Sequence, residues 1–224
     1  MYKIAICGKA NTGKNTLSRF LEQEIYWLRN AEHHAQYGKD MIFSSKSMAF
    51  ADPIKEIVMI MFPNANKEYL YGPSHLRASN IPGAFKSGKP LTYRQALIDI
   101  GTEVGRAYND KIWLENFDHR YEQIVLQKSQ PNLIIVTDVR FRNEFDHLKQ
   151  KGFFQIRLYR ETGMAPIEHI SETGQSSIKD EEFDYVLFNN KSLDDLKEEV
   201  KCQIIPRAIW HKGLLISSYL YKWA

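Results

Sequence analysis

The chain has 224 residues, 43% hydrophobic and 25% charged, a globular composition that excludes disordered, collagen-like and fibrous readings. With 30 Lys and Arg against 27 Asp and Glu the net charge is +3, and the basic residues are scattered, so stable nucleic-acid binding is not expected. The longest apolar runs, Ile57 to Phe62 and Leu133 to Val136, fall far short of the roughly 20 residues a membrane span needs, and Cys7 and Cys202 are too few for a disulfide framework or a four-ligand zinc site.

The length suits one domain, and a reducing cytoplasm is the expected compartment, with no signal peptide at the N-terminus. Lys3 to Cys7 reads as a strand ended by Gly8, and Leu17, Phe20, Leu21, Ile25 and Leu28 recur at helical spacing after it. Asn30 to Ser47 is polar and reads as a connection. Asp52-Pro53 opens a helix that stops before Pro63. From Asn64 to Pro90 periodicity is lost among Gly72-Pro73, Pro82-Gly83 and Gly88, which predicts a long irregular insert.

Thr92 and Gln95 form a capping box for a helix through Ala96, Leu97, Ile100 and Val104, in which Gly101 and Gly105 read as points of close backbone packing. A helix over Asp110 to Gln127, a buried strand over Leu133 to Val136, a helix over Asn143 to Lys151 and a strand over Phe154 to Tyr159 follow. After a long polar segment reaching Glu182 come a strand at Tyr185 to Phe188, a helix opened by Ser192, and a tail with Trp210, Tyr219, Tyr221 and Trp223. Alternating strands and helices indicate an α/β fold with a mainly parallel sheet.

Gly8-Lys9-Ala10-Asn11-Thr12-Gly13-Lys14 matches G-x-x-x-x-G-K between a strand and a helix, the context in which backbone N–H groups form an anion nest at a helix N-terminus. Asn15 stands where Ser or Thr is usual and Thr16 follows, which puts the direct Mg²⁺ ligand in question. Asp138, at the carboxyl end of the Leu133 strand, is placed either to hold Mg²⁺ or to cap the next helix. Arg140 and Arg142 follow it, Arg157 and Arg160 flank the next strand, and Arg77 and Arg106 lie in the middle of the chain. Arginines at strand ends suit a second phosphate site.

These stretches, with Phe50 to Lys55, Tyr71 to Ser74, Ile100 to Arg106 leading to Trp113, Thr137 to Glu144, Ser171 to Ser176 and Asn189 to Leu193, resemble the deoxynucleoside monophosphate kinases best represented in bacteriophages. The resemblance implies a P-loop NTPase fold in one domain: a mainly parallel five-stranded sheet flanked by helices, with an acceptor-binding insert at about 64–130, a lid at about 160–182 and a C-terminal tail at 203–224. It implies that Gly8, Asn11, Thr12, Gly13, Lys14, Asn15 and Thr16 hold ATP phosphates, with Asn190 near the adenine and Asp138 at the Mg²⁺. Lys9 would face the transferred group, and Arg77, Arg140 and Arg142 would grip the acceptor phosphate, with Arg106 a further substrate-binding candidate. Glu144 would orient Arg140 or the base, Trp113 would stack on the base or serve as an ordinary core aromatic, and Gln175 would belong to the lid or acceptor wall.

The expected reaction is direct transfer of the ATP γ-phosphoryl group to a deoxynucleoside monophosphate, an acceptor already anionic and so in no need of a strong general base. Lys14, Arg140 and Lys9 are the expected catalytic residues, the host cytoplasm the expected compartment if the chain is phage-encoded, and a homodimer is mildly favoured. The alternatives are a kinase of the same fold for dephospho-coenzyme A or phosphomevalonate, and a nucleotide-binding regulatory module without kinase activity.

Overall fold

A computed structural model describes residues 1–40, 42–161 and 174–211, and every statement below concerns those residues. Five strands, β1 (Tyr2–Cys7), β2 (Ser45–Met48), β5 (Leu133–Val139), β6 (Phe154–Tyr159) and β7 (Tyr185–Phe188), form one sheet in the order β2-β5-β1-β6-β7. Every pairing in it is parallel. All carboxyl ends therefore share one edge, and β1 sits where the chain switches from building one side of the sheet to building the other, the position at which open α/β sheets bind ligands.

Both faces of the sheet are covered, which is why β1 and β5 read as continuous apolar runs. On one face Ile4, Ile6 and Ile135 pack against α1 (Lys14–Tyr37), α8 (Leu193–Glu199) and α9 (Ile205–His211) through Leu17, Leu21, Ile25, Leu196 and Ile205. On the other, Ala5, Ile134 and Val136 meet Leu114 and Phe117 of α6 (Ile112–Val125) and Phe145 and Leu148 of α7 (Arg142–Gln150). A π-helical stretch, Val200–Ile204, joins α8 to α9 just before Pro206, which lacks an N–H to continue a regular helix.

Two expectations are corrected. The segment from Asn30 to Ser47 is not all connection: α1 runs to Tyr37 and ends at Gly38, whose φ of 67° closes it, and the edge strand β2 begins at Ser45, where a polar, exposed sequence gives no strand signal. The last turns of α1 are mostly exposed, so no apolar periodicity marks them. Nor is Asn64 to Pro90 irregular throughout. It carries α3 (Lys67–Tyr71), a 3₁₀ turn at Ser74–Ala78 and an antiparallel hairpin of β3 (Asn80–Lys86) and β4 (Lys89–Thr92). Ser87 and Gly88, at φ 50° and 76°, make the tight turn, while Pro82-Gly83 falls where the pairing register shifts rather than at a chain reversal.

With α2 (Asp52–Met61) and α4 (Tyr93–Ile98), this insert has its own core of Val58, Leu70, Ile81, Leu91 and Tyr93. Beyond α4 a π-helical stretch, Asp99–Gly105, leads into α5 (Arg106–Tyr108). There the Gly101 carbonyl accepts from Trp113 Nε1 at 2.7 Å. A Cβ on Gly101 would lie 2.8 Å from Ile54 Cδ1, and one on Gly105 2.3 Å from Trp113 Cζ2, so both glycines serve close packing as expected.

Gly105→Ala should therefore destabilise the protein by about 1–3 kcal/mol through overpacking and perturb the Trp113 environment. Gly88→Ala meets no atom within 4 Å and should cost about 1 kcal/mol of backbone strain. Urea unfolding followed by tryptophan emission checks both, and a smaller loss at Gly105 than at Gly88 would contradict the packing account.

Candidate functional site

The turn from β1 to α1 is held open by contacts that leave room for glycine alone at two positions. A Cβ on Gly8 would meet the Leu158 carbonyl at 2.6 Å, and one on Gly13, at φ 100°, would meet Asn189 Nδ2 at 2.6 Å. Asn189, buried at the end of β7, donates from Nδ2 to the Thr12 carbonyl at 2.9 Å and so ties the loop to the far side of the sheet. Inside the loop Thr12 Oγ1 donates to the Lys9 carbonyl at 2.9 Å. Lys14 Nζ donates to the carbonyls of Gly8 and Lys9 at 2.7 and 2.6 Å, which holds the ammonium over the loop at the first residue of α1.

A cleft of about 840 Å³ opens beside the loop. It is lined by Asn11, Gly13, Lys14 and Asn15 on one side and by the insert residues Tyr71 to His75, Arg77 and Arg94 on the other, with Asp138 and Arg140 of the β5 end at its base. Six cations reach it, namely Lys14, Arg19, Lys55, Arg77, Arg94 and Arg140, against the acids Glu22, Asp52 and Asp138. Asp52 is bound to Lys55 Nζ at 2.9 Å and accepts from the Ala49 N–H at 2.9 Å, so its charge is already matched. The excess is positive, as a site for two phosphate chains requires.

Both oxygens of Asp138 accept backbone N–H groups, from Phe50 at 3.0 Å and from Ala51 at 2.9 Å. Burial pushes its pKa up, while Lys55 and the Ala51 N–H oppose the shift. Among the described residues no cluster of three His, Cys, Asp or Glu is arranged to hold a metal ion. A single carboxylate beside a phosphate cleft suits a hard cation held mostly by phosphate oxygens and water.

Beyond the arginines a smaller cavity of about 100 Å³ runs between Ile54, Leu97, Trp113 and Phe141, with Arg106 and Glu144 as its deep polar groups. Arg106 lies 3.8 Å over the Phe141 ring and its NH2 donates to Glu144 Oε1 at 2.6 Å. The other oxygen, Glu144 Oε2, accepts the backbone N–H groups of Arg140 and Phe141 at 2.8 and 3.2 Å, capping α7. Burial first, and the charge of Asp138 second, push the Glu144 carboxyl up to about 7 against these donors.

The expected site residues thus fall into two groups. Asn11, Gly13, Lys14, Asn15, Arg77, Asp138 and Arg140 line the cleft, and Arg106, Trp113, Arg140 and Glu144 line the inner cavity. Gly8, Thr12 and Thr16 belong to the loop and the first turn of its helix. Arg142 is not brought to either space, because Asp146 and Glu182 hold it on the surface at 2.8 Å each. Arg157 is also withdrawn, buried against Asp180 at 3.2 Å and the carbonyls of Gln175 and Ile178.

Glu144 steadies Arg140 through its main chain and holds the side chain of Arg106. Gln175 is buried behind the loop, accepting from Cys7 Sγ at 3.2 Å. Asn190 Oδ1 accepts from the Glu161 N–H at 3.0 Å, and the Lys9 side chain is exposed. Ser171, Glu172 and most of the expected lid, with Tyr219, Tyr221 and Trp223, lie outside the described residues.

Lys55, Arg94, Arg19 and Asn189 were not among the expected site residues. Lys55 sits one turn into the Asp52-Pro53 helix and Arg94 two residues after the Thr92 cap, positions at which helix starts face a cleft; Asn189 and Arg19 carry no local signal of this kind.

The family model described as deoxynucleotide monophosphate kinase matches residues 77–200. The chain is also similar to a protein of Acanthamoeba polyphaga mimivirus described as "Putative deoxynucleotide monophosphate kinase", at 25% identity over 207 residues that cover 89% of this chain and 94% of that protein.

Because the folded pKa of Glu144 is raised, the native protein retains a proton that the unfolded chain has released between pH 4.5 and about 7. Stability from this group is therefore greatest at low pH and is lost as pH rises to about 7, by up to about 3 kcal/mol. Urea unfolding of wild type and Glu144→Gln at pH 5 to 8 should show the wild-type advantage shrinking with pH and then levelling off; an advantage growing with pH would contradict it.

Proposed function

The chain belongs to the deoxynucleotide monophosphate kinase family, and from that premise we propose that it transfers the γ-phosphoryl group of ATP to the phosphate of a deoxynucleoside monophosphate, giving ADP and a deoxynucleoside diphosphate. It is a kinase, and ATP is the co-substrate its family implies. The observation that carries the finer reading is the cleft itself. A phosphate loop with its lysine forms one wall, and Arg77, Arg94 and Arg140 converge from the opposite wall and base.

In this reading the loop N–H groups and Lys14 bind the donor phosphates, Lys14 leaving the Gly8 and Lys9 carbonyls for phosphate oxygens. Arg77, Arg94 and Arg140 take the acceptor phosphate, and Lys55 adds charge between the two. The acceptor attacks as an anion, so its oxygen needs no base. Trp113 and Phe141 flank the acceptor base in the inner cavity, while Arg106 and Glu144 present a donor and an acceptor to its edge. Mg²⁺, bound by phosphate oxygens with Asp138 nearby, would neutralise charge on the transferred group. Residues 64–130 form the acceptor side of one kinase domain.

The test is coupled ADP release with dTMP, dGMP, dCMP, dAMP, their ribonucleotide counterparts, dephospho-coenzyme A and phosphomevalonate. Turnover confined to nucleoside monophosphates is the expected result, and turnover only with another acceptor would overturn it. Lys14→Met should lower kcat at least about 100-fold with an unchanged unfolding midpoint. Arg94→Ala should raise the KM for the nucleotide acceptor more than that for ATP.

A further inference from the structure

Ser74 stands between the two walls of the cleft. It is the first residue of the 3₁₀ turn Ser74–Ala78, directly after Gly72-Pro73. Its hydroxyl donates to Asn11 Oδ1, in the phosphate loop, at 2.7 Å. Its carbonyl accepts from Arg94 NH2 at 3.1 Å. Arg94 in turn lines both the cleft and the inner cavity. One residue thus touches the loop assigned to the donor and an arginine assigned to the acceptor. Asn11 is suited to its end of the link: at φ 62° it occupies the left-handed region that asparagine tolerates better than most residues, with its side-chain oxygen presented to the insert.

We propose that Ser74 and Asn11 are positioning residues that fix the turn of the insert against the phosphate loop, so that the acceptor phosphate gripped by Arg94 is brought into line with the donor. This rests on the donor and acceptor assignments above. The insert has a core of its own, separate from the two cores of the sheet, so its placement over the loop depends on links of this kind. Transfer between phosphates is sensitive to alignment at the ångström level, whereas one neutral hydrogen bond contributes modestly. Loss of the link should therefore slow transfer without abolishing it. The turn itself is held by other bonds, Leu76 N–H to the Pro73 carbonyl at 3.1 Å and Ser79 N–H to the Leu76 carbonyl at 3.0 Å, so removing the hydroxyl leaves its fold in place.

The experiment compares Ser74→Ala, Ser74→Thr, Asn11→Gly and the Asn11→Gly/Ser74→Ala double variant by coupled ADP release, with the best nucleotide acceptor from the panel. Glycine is chosen at position 11 because it keeps the left-handed backbone unstrained. Ser74→Ala should lower kcat roughly threefold to tenfold while the KM for ATP stays within about twofold. Ser74→Thr should restore the rate, and the double variant should be no slower than the slower single one. In calorimetry, the gain in acceptor affinity caused by a non-hydrolysable ATP analogue should be smaller in Ser74→Ala than in wild type. Wild-type kcat and affinity gain in Ser74→Ala, or losses that multiply in the double variant, would overturn the link. Wild-type protein active only with a different phosphorylated acceptor overturns the acceptor assignment alone, since the Ser74 comparison is then made with that acceptor.

Discussion

The two hydrogen bonds from Phe50 and Ala51 to the partly buried carboxylate of Asp138 set the geometry on which the site depends. They join the end of β5 to the start of α2, and α2 is the element from which the insert is built, through Val58 on one face and Lys55 on another. A carboxylate taken out of water costs free energy unless donors replace the water, and here two backbone N–H groups and the nearby Lys55 do so. Asp138 does not cap a helix: its two donors, Phe50 and Ala51, precede the first residue of α2, so it ties the β2–α2 junction to the end of β5.

Most acids at the two spaces are engaged by neighbouring donors, while six cations line the cleft. Asp52 is held by Lys55 and the Ala49 N–H, Asp138 by Phe50 and Ala51, and Glu144 by Arg106, Arg140 and Phe141. Glu22, the remaining acid of the cleft, accepts from Ser45 Oγ at 3.1 Å, so an anionic ligand in the cleft meets six cations against three acids. The same logic removes Arg142 and Arg157 from the site, because each is satisfied by acids or carbonyls elsewhere. Counting arginines near a strand end overestimates the cations that reach the cleft, because Asp146 and Glu182 engage Arg142 and Asp180 engages Arg157.

Four strands of the sheet were legible, β1 and β5 because burial on both faces writes itself as apolar runs, and the expected ranges Phe154 to Tyr159 and Tyr185 to Phe188 coincide with β6 and β7; the edge strand β2, Ser45-Lys46-Ser47-Met48, is mostly polar and exposed and so reads as connection. The phosphate loop was legible because glycine positions are forced by contacts a Cβ would violate. The end of α1 and the β3–β4 hairpin were not, since exposed turns lack periodicity and Pro82-Gly83 marks a bulge in the same letters that usually mark a turn. Arg94 and Asn189 were hidden for another reason: their roles come from contacts made 20 and 177 residues away in the chain, which no local pattern records.

The π-helical stretch Asp99–Gly105 shows how packing and chemistry meet at the inner cavity. A regular helix would direct the Gly101 carbonyl along its own axis, whereas here it accepts from the Trp113 indole, which fixes the ring as a wall of the cavity. Two glycines are needed for Ile54 and the same tryptophan to come close enough. The aromatic wall thus has its only polar atom already satisfied, and the polar lining comes from other residues, Arg106 and Glu144 among them. Those two are locked to each other and to the backbone of Arg140, so the polar end of the cavity and Arg140 at the base of the cleft are positioned together.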